Sequence, residues 1–342
     1  MTAVAVNGRF RHLEPGGYRR YADEVSTRIP GATVFQPSHR YARGLRGRTW
    51  EQSVLARRSH DHVLFSPANS GPIHHHRQVV VLHDIYTLQR PEWFDPNLCR
   101  FQRRFLPRLV ANAQRVVVPS MDVANRVSLQ LRTPAHKVVP VAPAVGTPFG
   151  LDTDPARRAA LAERLGLADG QPLVTGLVSA SVRKNSSHTL AVLAEARRRT
   201  GAVVAVAGHD DRPRAVAGGA RPSHPDVIDL GSLNDHDLAA FYALADVFVS
   251  LPLGEGYGMP IAEAAACGAS IVASPVPAAT ESLEGHCTVV EATDLYQAVT
   301  AIEWALAEDS AAAAAARYAA ATSWTWRQAS DRINRLLKEL ND

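Results

Sequence analysis

The chain has 342 residues, of which 46% are apolar and 20% charged, and its formal net charge is +4. This length favours two domains, and the composition is ordinary for a globular enzyme. No run of about 18 apolar residues is present, so the sequence predicts no membrane-spanning helix. The three cysteines are far apart and odd in number. They argue against a disulfide framework and a clustered zinc site, and favour a reducing, cytoplasmic location.

Positive charge is concentrated in the first part of the chain. Residues 1–60 contain eleven arginines, no lysine and four acidic residues, a net charge of +7. The stretch LCRFQRRFLPRLV (98–110) adds four arginines on a predicted amphipathic helix. Two interpretations stay open: a solvated arginine-rich surface, or a face that meets anionic lipid at the inner side of the cell membrane or a phosphate-bearing acceptor. Nucleic acid is not expected as a partner, because few aromatic residues lie among the arginines and no nucleic-acid-binding motif is present.

Short β-branched segments alternate with helical patterns along the chain. The first half contains TAVAV (2–6), TVFQ (33–36), HVLFS (62–66), QVVVLHD (78–84), RVVVPS (115–120) and KVVPVA (137–142). The second half contains LVTGLVS (173–179), VVAVAG (203–208), VIDLG (227–231), DVFVS (246–250), SIVAS (270–274) and TVVEA (288–292). Continuous apolar strands between helices indicate parallel sheets covered on both faces. The sequence therefore predicts two successive doubly wound units, with a break near PAVGTPFGLDTDPAR (143–157).

The end of the chain is predicted to be helical. The alanine-rich run DSAAAAAARYAAATS (309–323) has strong helix propensity and is expected to form a surface helix. In the last segment, apolar residues recur at helical spacing at Ile333, Leu336, Leu337 and Leu340, which predicts a packing stripe.

The segment GEGYGMPIAEAAACG (254–268) carries the strongest signal for chemistry. It lies between two apolar strands and predicts a glycine-rich turn followed by a helix of about eight residues, with Pro260 in the first turn and Gly268 at the C-terminal cap. The helix then begins at the carboxyl end of a parallel strand, where its N–H groups and dipole favour an anion. Glu255 and Glu263 either face one crevice or are a capping and a solvated glutamate.

A resemblance bears on that choice. EGYGMPIAE followed by AAACGASIVAS resembles the E-x7-E signature of the retaining glycosyltransferases of family 4, and the match extends upstream over LGSLNDHDLAAFYALADVFVSLPLGEGYGMP. The resemblance implies an α/β protein of GT-B fold, with two Rossmann-like domains that face a cleft. Residues 1–150 form the acceptor-side domain, completed by a C-terminal helix (324–342) that crosses back to it with Trp324 and Trp326 as anchors. Residues 151–323 are expected from the resemblance to bind the nucleotide sugar.

The same resemblance implies roles for individual residues of the second domain. Glu255 contacts the donor sugar or its phosphate, and Glu263 binds the ribose hydroxyls. The backbone amides of the intervening loop cradle the sugar and diphosphate; this loop consists of Gly256, Tyr257, Gly258 and Met259. Residues near the nucleotide base are expected in AVAGHD and DLGSL, with Gly208, His209, Leu230, Gly231 and Leu233 as candidates.

The segment after the first strand of the second domain supplies cations. Arg183-Lys184-Asn185 resembles the RKN variant of the family's phosphate motif, in which Lys184 stabilises the departing diphosphate. Many family members have an arginine five residues before this lysine, where Ser179 stands here. Either Arg183 supplies the second charge or the enzyme uses one cation.

The first domain adds candidates at two predicted strand ends. Gly16 and Gly17 open a helix, where the absence of side chains lets a phosphate or sugar approach the backbone. His83 and Asp84 end a buried strand, and the resemblance places His83 beside the donor sugar and acceptor, with Asp84 orienting the ring or contacting the acceptor. The triple histidine 74–76 is not expected to hold a metal, because adjacent residues do not converge on one ion and no carboxylate cluster accompanies them.

The resemblance implies transfer of a hexose from a nucleotide diphosphate sugar to a hydroxyl of a saccharide or lipid-linked saccharide, with retention and without a metal or other cofactor. Relatives of the RKN type make GDP-mannose the first expectation for the donor, in assembly of cell-surface glycans or glycolipids. Two alternatives stay open: a sugar-nucleotide epimerase on the same fold, and a non-catalytic protein that binds nucleotide sugars.

Overall fold

The structure is a computed structural model that describes residues 3–13, 16–208, 221–308 and 310–340. The chain forms two compact units. Unit 1 comprises the chain up to Pro91, Pro96–Pro143 and the chain from Trp324 onward, and unit 2 comprises Glu92–Asp95 and Ala144–Ser323. The main boundary at Pro143–Ala144 lies a few residues before the predicted break at 150–151. Within the described ranges, no helix is both long and apolar enough to cross a membrane.

Unit 1 is built on a six-stranded sheet whose strands are all parallel. The strands are β1 (Val4–Asn7), β2 (Thr33–Phe35), β3 (Val63–Ser66), β4 (Gln78–Val81), β5 (Arg115–Val118) and β6 (Val138–Pro140). Their order across the sheet is β2-β1-β3-β4-β5-β6. The chain therefore moves outward from β1 to β2 and returns on the other side of β1 to β3. The point between β1 and β3 is the topological switch point, where ligands bind in open α/β sheets.

Unit 2 repeats this plan with a second parallel sheet. Its strands are β7 (Leu173–Leu177), β8 (Val203–Ala207), β9 (Ile228–Asp229), β10 (Val247–Ser250), β11 (Ser270–Ala273) and β12 (Thr288–Val289). The order β12-β11-β10-β7-β8-β9 puts the switch point between β7 and β10. The prediction of two successive doubly wound units is thus confirmed, and each strand lies within one of the predicted segments except β1, which extends one residue further, to Asn7.

Helices connect the strands. In unit 1 they are α1 (Gly17–Ser26), α2 (Gly44–Trp50), α3 (Ala56–Arg58), α4 (Tyr86–Gln89), α5 (Pro96–Asn112) and α6 (Met121–Gln130). In unit 2 they are α7 (Pro155–Leu165), α8 (Ser186–Thr200), α9 (Asp235–Leu244), α10 (Met259–Ala266), α11 (Leu295–Glu308) and α12 (Ala311–Thr322). The final helix α13 (Trp326–Glu339) belongs to unit 1.

The strands of unit 2 are apolar at successive positions because both faces of the sheet are covered. In β10, Phe248 packs into one core, whereas Val247 and Val249 pack into the other. All three side chains are fully buried. Side chains alternate between the two faces of a strand, so a strand buried on both sides needs an unbroken apolar run. This is the physical reason why the strand segments are visible in the sequence.

The predicted stripe of the last helix packs within unit 1. Ile333, Leu336 and Leu337 are buried, and α13 contacts α1. The helix begins with a capping box, in which the Thr325 hydroxyl accepts from the Gln328 backbone amide and the Gln328 side chain bonds the Thr325 amide. The C-terminal segment therefore completes the first unit, as the fold prediction requires.

The two tryptophans before and at the start of α13 anchor this segment in unit 1. The Trp324 indole N–H donates to the Ala142 carbonyl at 2.9 Å. Trp326 is buried and makes an edge contact with the ring of Tyr21, with the centroids 5.7 Å apart. Both positions agree with the predicted anchoring role.

The alanine-rich helix α12 lies against α10, on which the candidate site depends. Arg317 is the buried charged residue of α12, and its guanidinium donates to the Gly268 carbonyl at 2.7 Å. This carbonyl lies just beyond the C-terminus of α10, where backbone oxygens need donors. The otherwise featureless alanine run thus supplies a donor that holds the end of α10.

Candidate active site

The loops that follow β7 and β10 are joined to each other at the switch point of unit 2. The Leu253 amide donates to the Arg183 carbonyl at 2.9 Å. The Asn185 side chain donates to the carbonyls of Leu251 (2.9 Å) and Ala292 (2.8 Å). Asn185 itself has a left-handed backbone with φ of 54°, which Asn tolerates better than most residues. These bonds set the cations that follow β7 beside the carboxylate that follows β10.

Glu255 lies between Arg183 and Lys184. One carboxylate oxygen is 2.5 Å from Nη1 of Arg183, and the other is 2.6 Å from Nζ of Lys184. Arg183 also donates to the Gly254 carbonyl at 3.1 Å. The Glu255 side chain is only 12% exposed. Burial alone raises the pKa of this carboxyl, but the charges and hydrogen bonds of Arg183 and Lys184 outweigh burial and lower its pKa to about 2.

The cluster of Arg183, Lys184 and Glu255 carries one net positive charge. It lies at the edge of the sheet where the helix α10 also begins. A helix N-terminus adds about half a positive charge from its dipole. The combined field suits an anionic group such as a diphosphate.

The start of α10 requires glycine at one position. Gly258 caps the helix with φ of 109°, and a Cβ atom there would lie 3.2 Å from both Ala278 and Val276. Side-chain residues rarely adopt this backbone conformation. The neighbouring Tyr257 is half-buried, and its hydroxyl is 2.8 Å from that of Ser282. The predicted loop residues Gly256 and Met259 flank these two, with Gly256 buried and Met259 the first residue of α10.

Glu263 lies one turn inside α10 and is only 4% exposed. Its helical neighbours from Ala262 to Ala266 are alanines, all buried. A glutamate is seldom buried in a helix of small apolar residues unless it has a specific partner or a function. The position excludes the interpretation of Glu263 as a solvated surface charge.

The remaining predicted residues of unit 2 border this edge of the sheet in different ways. The Ser179 hydroxyl accepts from the Ser181 amide at 3.2 Å and so shapes the loop before Arg183. Gly208, which directly follows β8, has φ of 151°, and a Cβ there would overlap the carbonyl oxygen of Val178, which follows β7. Only glycine therefore fits at this position. Leu230 is buried, whereas Leu233 is half-buried against the core. His209 lies outside the described residues.

In unit 1, His83 is enclosed by tyrosines. The ring of Tyr18 stacks on it at 4.4 Å, and Tyr21 makes an edge contact at 5.1 Å. Its Nε2 is 2.9 Å from the Pro67 carbonyl, so this nitrogen carries the proton and donates. Burial lowers the pKa of His83 to about 4, against the smaller raising effect of that hydrogen bond. The ring is neutral and only 4% exposed, because Tyr18 and Tyr21 cover it.

Asp84 is joined to the same group of residues. The Tyr18 hydroxyl donates to one carboxylate oxygen of Asp84. The other oxygen accepts from the Tyr86 amide at 3.2 Å. Asp84 therefore holds Tyr18, which covers the His83 ring.

Gly16 and Gly17 begin α1, as predicted. Gly16 has an extended backbone, and no atom lies within 4 Å of the position that a Cβ would occupy. Local packing therefore does not explain why glycine stands at Gly16.

A polar network that the sequence does not predict lies at the switch point of unit 1. Glu51 is buried and accepts from Asn7 (2.8 Å), Arg9 (2.7 Å) and Ser70 (2.5 Å). Asn7 ends β1, and Ser70 follows β3, so the network spans the two strands at the switch point. The polar residues Asn7 and Arg9, at and just after the end of β1, indicate a polar site at this edge of the sheet. The link to Glu51, more than forty residues away, has no signal in the sequence.

The triple histidine does not form part of a cluster. Among the residues that the structure describes, no three histidines, cysteines or acids lie close enough together to hold a metal ion. The buried His75 has its Nε2 2.9 Å from the Ser59 carbonyl, which gives it a structural partner.

Comparison with known proteins gives this geometry a context. Residues 173–308 match the model of a family described as glycosyl transferases group 1. The comparisons support a glycosyltransferase of GT-B fold. The matched segment contains the cluster of Arg183, Lys184 and Glu255 together with Glu263.

Two curated relatives are mannosyltransferases. The chain is 33% identical over 256 residues to a GDP-mannose-dependent alpha-(1-6)-phosphatidylinositol monomannoside mannosyltransferase of Mycolicibacterium smegmatis, across 66% of this chain and 64% of that protein. It is 28% identical over 244 residues to the serotype-specific mannosyltransferase WbdA of Escherichia coli, across 68% of this chain and 30% of WbdA. The chain therefore spans less than two thirds of the first relative's length and less than a third of the second's.

A solved structure confirms the architecture. Anabaena Alr3699/HepE, solved in complex with UDP and glucose, superimposes with a TM-score of 0.70 at 16% identity, across 98% of this chain and 99% of that one. At this identity the likeness concerns the fold alone.

The ion pairs of Glu255 predict a pH-dependent stability difference. We expect Glu255→Gln to lower the free energy of unfolding by about 1–3 kcal/mol at neutral pH, because two half-buried cations lose their partner. The pKa of Glu255 falls from an ordinary 4.5 to about 2 in the folded protein. The stabilisation is therefore complete above 4.5 and is lost as the pH falls toward 2, so the difference between the two proteins should shrink over that range. Urea unfolding at a series of pH values measures this difference in free energy of unfolding.

Glu163→Gln, on an exposed position, is the control for the ion-pair prediction. A difference between the wild type and Glu255→Gln that stays constant down to about pH 3 would contradict the ion pairs assigned to Glu255.

The buried His83 predicts the opposite kind of proton linkage. Its pKa is lowered from 6.5 to about 4. Between these pH values, His83 is therefore protonated in the unfolded chain but neutral in the folded protein. As the pH falls from 6.5 toward 4, the wild-type protein should lose stability with a slope approaching one proton, and His83→Gln should lack this component. Denaturation curves of both proteins across this range measure the slope. The exposed His236→Gln should keep it, and an equal slope in the wild type and His83→Gln would show that His83 is not buried in its neutral form.

Proposed function

We propose that this chain transfers a hexose from a nucleotide diphosphate sugar to an acceptor hydroxyl with retention of configuration. The observation that carries the proposal is the cluster of Arg183, Lys184 and Glu255 at the switch point of unit 2. Two cations held by one half-buried carboxylate, next to a helix N-terminus, form a site for a leaving diphosphate. From the family resemblance, we propose that Glu255 faces the sugar and Glu263 the ribose, with the amides of residues 256–259 between them.

The donor that we propose is GDP-mannose, bound without a metal ion or other cofactor. The name of the mycobacterial relative specifies GDP-mannose, and that of the E. coli relative specifies mannosyl transfer. The cationic residues Arg183 and Lys184 supply the charge that a metal ion provides to diphosphates elsewhere. The Anabaena protein binds UDP and glucose, which supports a nucleotide sugar as the donor class and leaves the base to experiment.

The reaction that we propose involves two bonds at the anomeric carbon. The bond between that carbon and the diphosphate oxygen breaks, and its electron pair leaves with the diphosphate. The acceptor oxygen forms the new bond from the same face, and its proton passes to the departing phosphate. The products are an α-glycoside and a nucleoside diphosphate. Lys184 and Arg183 stabilise the charge that develops on the leaving group, which is commonly the largest catalytic contribution.

The acceptor that we propose is a saccharide or lipid-linked saccharide of cell-surface glycan or glycolipid assembly. In unit 1 the acceptor side is represented by Tyr18 and Asp84, which line the edge of the sheet above His83. The Tyr18 hydroxyl and the Asp84 carboxylate are suited to hydrogen-bond sugar hydroxyls. The His83 ring stacks against Tyr18 of this pair, and we propose that it contacts the substrate once Tyr18 turns aside.

The diphosphate role of Lys184 predicts a large kinetic effect. Lys184→Ala should lower kcat by about a hundredfold, because one donor to the developing charge is removed. Steady-state release of nucleoside diphosphate measures the rate. Lys338→Ala, on an exposed position of α13, is the matched control and should be close to the wild type. A near-normal rate in Lys184→Ala would remove the proposed role.

A donor screen tests the function as a whole. Thermal stabilisation by GDP-mannose, UDP-glucose and other nucleotide sugars identifies the donor, since the shift grows with the excess of ligand over Kd. The stabilising donor is then incubated with a saccharide acceptor, and the released nucleoside diphosphate and the anomeric configuration of the product are measured. Transfer with an α-product is expected. A changed sugar with no nucleotide release indicates an epimerase, and stabilisation without any reaction indicates a binding protein.

A further inference from the structure

Two segments of unit 1 expose arginines with no acidic residue among them. Residues 37–50 contain Arg40, Arg43, Arg46 and Arg48, and residues 96–112 contain Arg100, Arg103, Arg104 and Arg108. All are exposed except Arg48, which is half-buried. Two segments with four arginines each and no acidic residue are unusual for a surface that meets only water, because most protein surfaces mix the two signs.

The two segments touch and form one surface. The Arg48 guanidinium at the end of α2 lies 3.6 Å from the centroid of the Phe101 ring on α5. This cation–π contact joins the arginines of α2 and its preceding turn to those of α5. We name this surface, residues 39–48 together with the exposed side of 97–108, the arginine face.

Apolar groups are set among these cations. Leu45 is 78% exposed and lies between Arg43 and Arg46, and Tyr41 is also exposed. Beside α5 is a groove of about 400 Å³, lined by the apolar residues Ile73, Phe101 and Phe105 and by Arg100, Arg104 and Arg108. An exposed leucine and an apolar groove within a cationic patch match the pattern of interfacial membrane-binding elements.

We propose that the arginine face docks on the surface of an anionic phospholipid bilayer. The guanidinium groups bind lipid phosphates, with which arginine forms paired hydrogen bonds. Leu45 and Tyr41 enter the boundary between headgroups and acyl chains, and the groove receives part of a lipid chain. A free phosphate or a nucleic acid uses the cations but leaves Leu45 and the apolar groove without a partner, so the bilayer is the occupant that uses every feature of the face.

The position of α5 relates this face to the proposed reaction, a step that rests on the proposed function. α5 ends at Asn112, shortly before β5 begins at Arg115. The C-terminal end of α5 therefore lies near the amino edge of the sheet, and its N-terminal end points toward the carboxyl edge. Tyr18, His83 and Asp84 lie at that carboxyl edge. Docking through Arg100 and Arg104 thus brings a bilayer toward the acceptor side of unit 1.

Vesicle binding tests the proposal directly. Co-sedimentation of the full chain is measured with vesicles of phosphatidylcholine alone and of phosphatidylcholine mixed in roughly equal parts with phosphatidylglycerol. We expect binding to the mixed vesicles that weakens as salt is raised. The triple variant R100Q/R104Q/R108Q should bind at least about tenfold more weakly, since each arginine near an anionic surface contributes to the attraction. Leu45→Ser should weaken binding with no change of charge.

A matched control separates the face from net charge. R327Q/R332Q/R335Q removes the same charge from exposed positions of α13 and should bind as the wild type does. Thermal melting confirms that each variant is folded. Equal binding by the wild type and the α5 variant, equal losses in both triple variants, or equal binding to both kinds of vesicle would each overturn the proposal. Transfer to a water-soluble saccharide should be unchanged in the α5 variant, so failure of docking and failure of the proposed transfer are distinguished.

Discussion

The interaction on which the candidate site depends is the placement of one carboxylate between two cations. Glu255 bonds Arg183 with one oxygen and Lys184 with the other. This requires β7 and β10 to be neighbours with their carboxyl ends at one edge, which the order of the sheet provides. The loop bonds of Asn185 to Leu251 and Ala292 then hold the segments together. Without this strand order, the residues of the cluster would lie apart, because about seventy residues separate them along the chain.

Electrostatics explains why such a cluster can be both stable and reactive. Removing Glu255 from water opposes its ionisation, but two adjacent cations outweigh that cost, and its pKa drops to about 2. The carboxylate fixes the positions of the cations in advance, and one positive charge is left over for a ligand. Glu263, buried among the alanines of α10, adds a second carboxylate that the core cannot use for packing. Both features agree with a site whose polar groups are held in place before a substrate arrives.

In unit 1 the carboxyl edge of the sheet is arranged differently. Here aromatic packing dominates: Tyr18 and Tyr21 enclose the neutral His83, and Asp84 holds the Tyr18 hydroxyl. The family resemblance suggests His83 as a site residue from its place at the end of an apolar strand. The sequence near His83 does not indicate that Tyr18 and Tyr21 cover its ring. Tyr18 lies more than sixty residues before Asp84, and only pairing of the intervening strands brings them together. The network of Glu51 with Asn7, Arg9 and Ser70 was missed for the same reason.

The sequence by itself determined the local structure: the strands, because burial on both faces demands unbroken apolar runs, and the bounds of α10, because proline and glycine mark its ends. It also determined that Glu255 lies in a turn and Glu263 in the short helix after it, since the residues of this segment favour a turn followed by a helix. The tertiary structure alone decided which residues meet. It paired Glu255 with Arg183 and Lys184, covered His83 with Tyr18, and joined α2 to α5 through Arg48 and Phe101. The physical reason is that periodicity reports on neighbours along one element, whereas ion pairs and ring contacts between elements depend on the order in which strands assemble into the sheet.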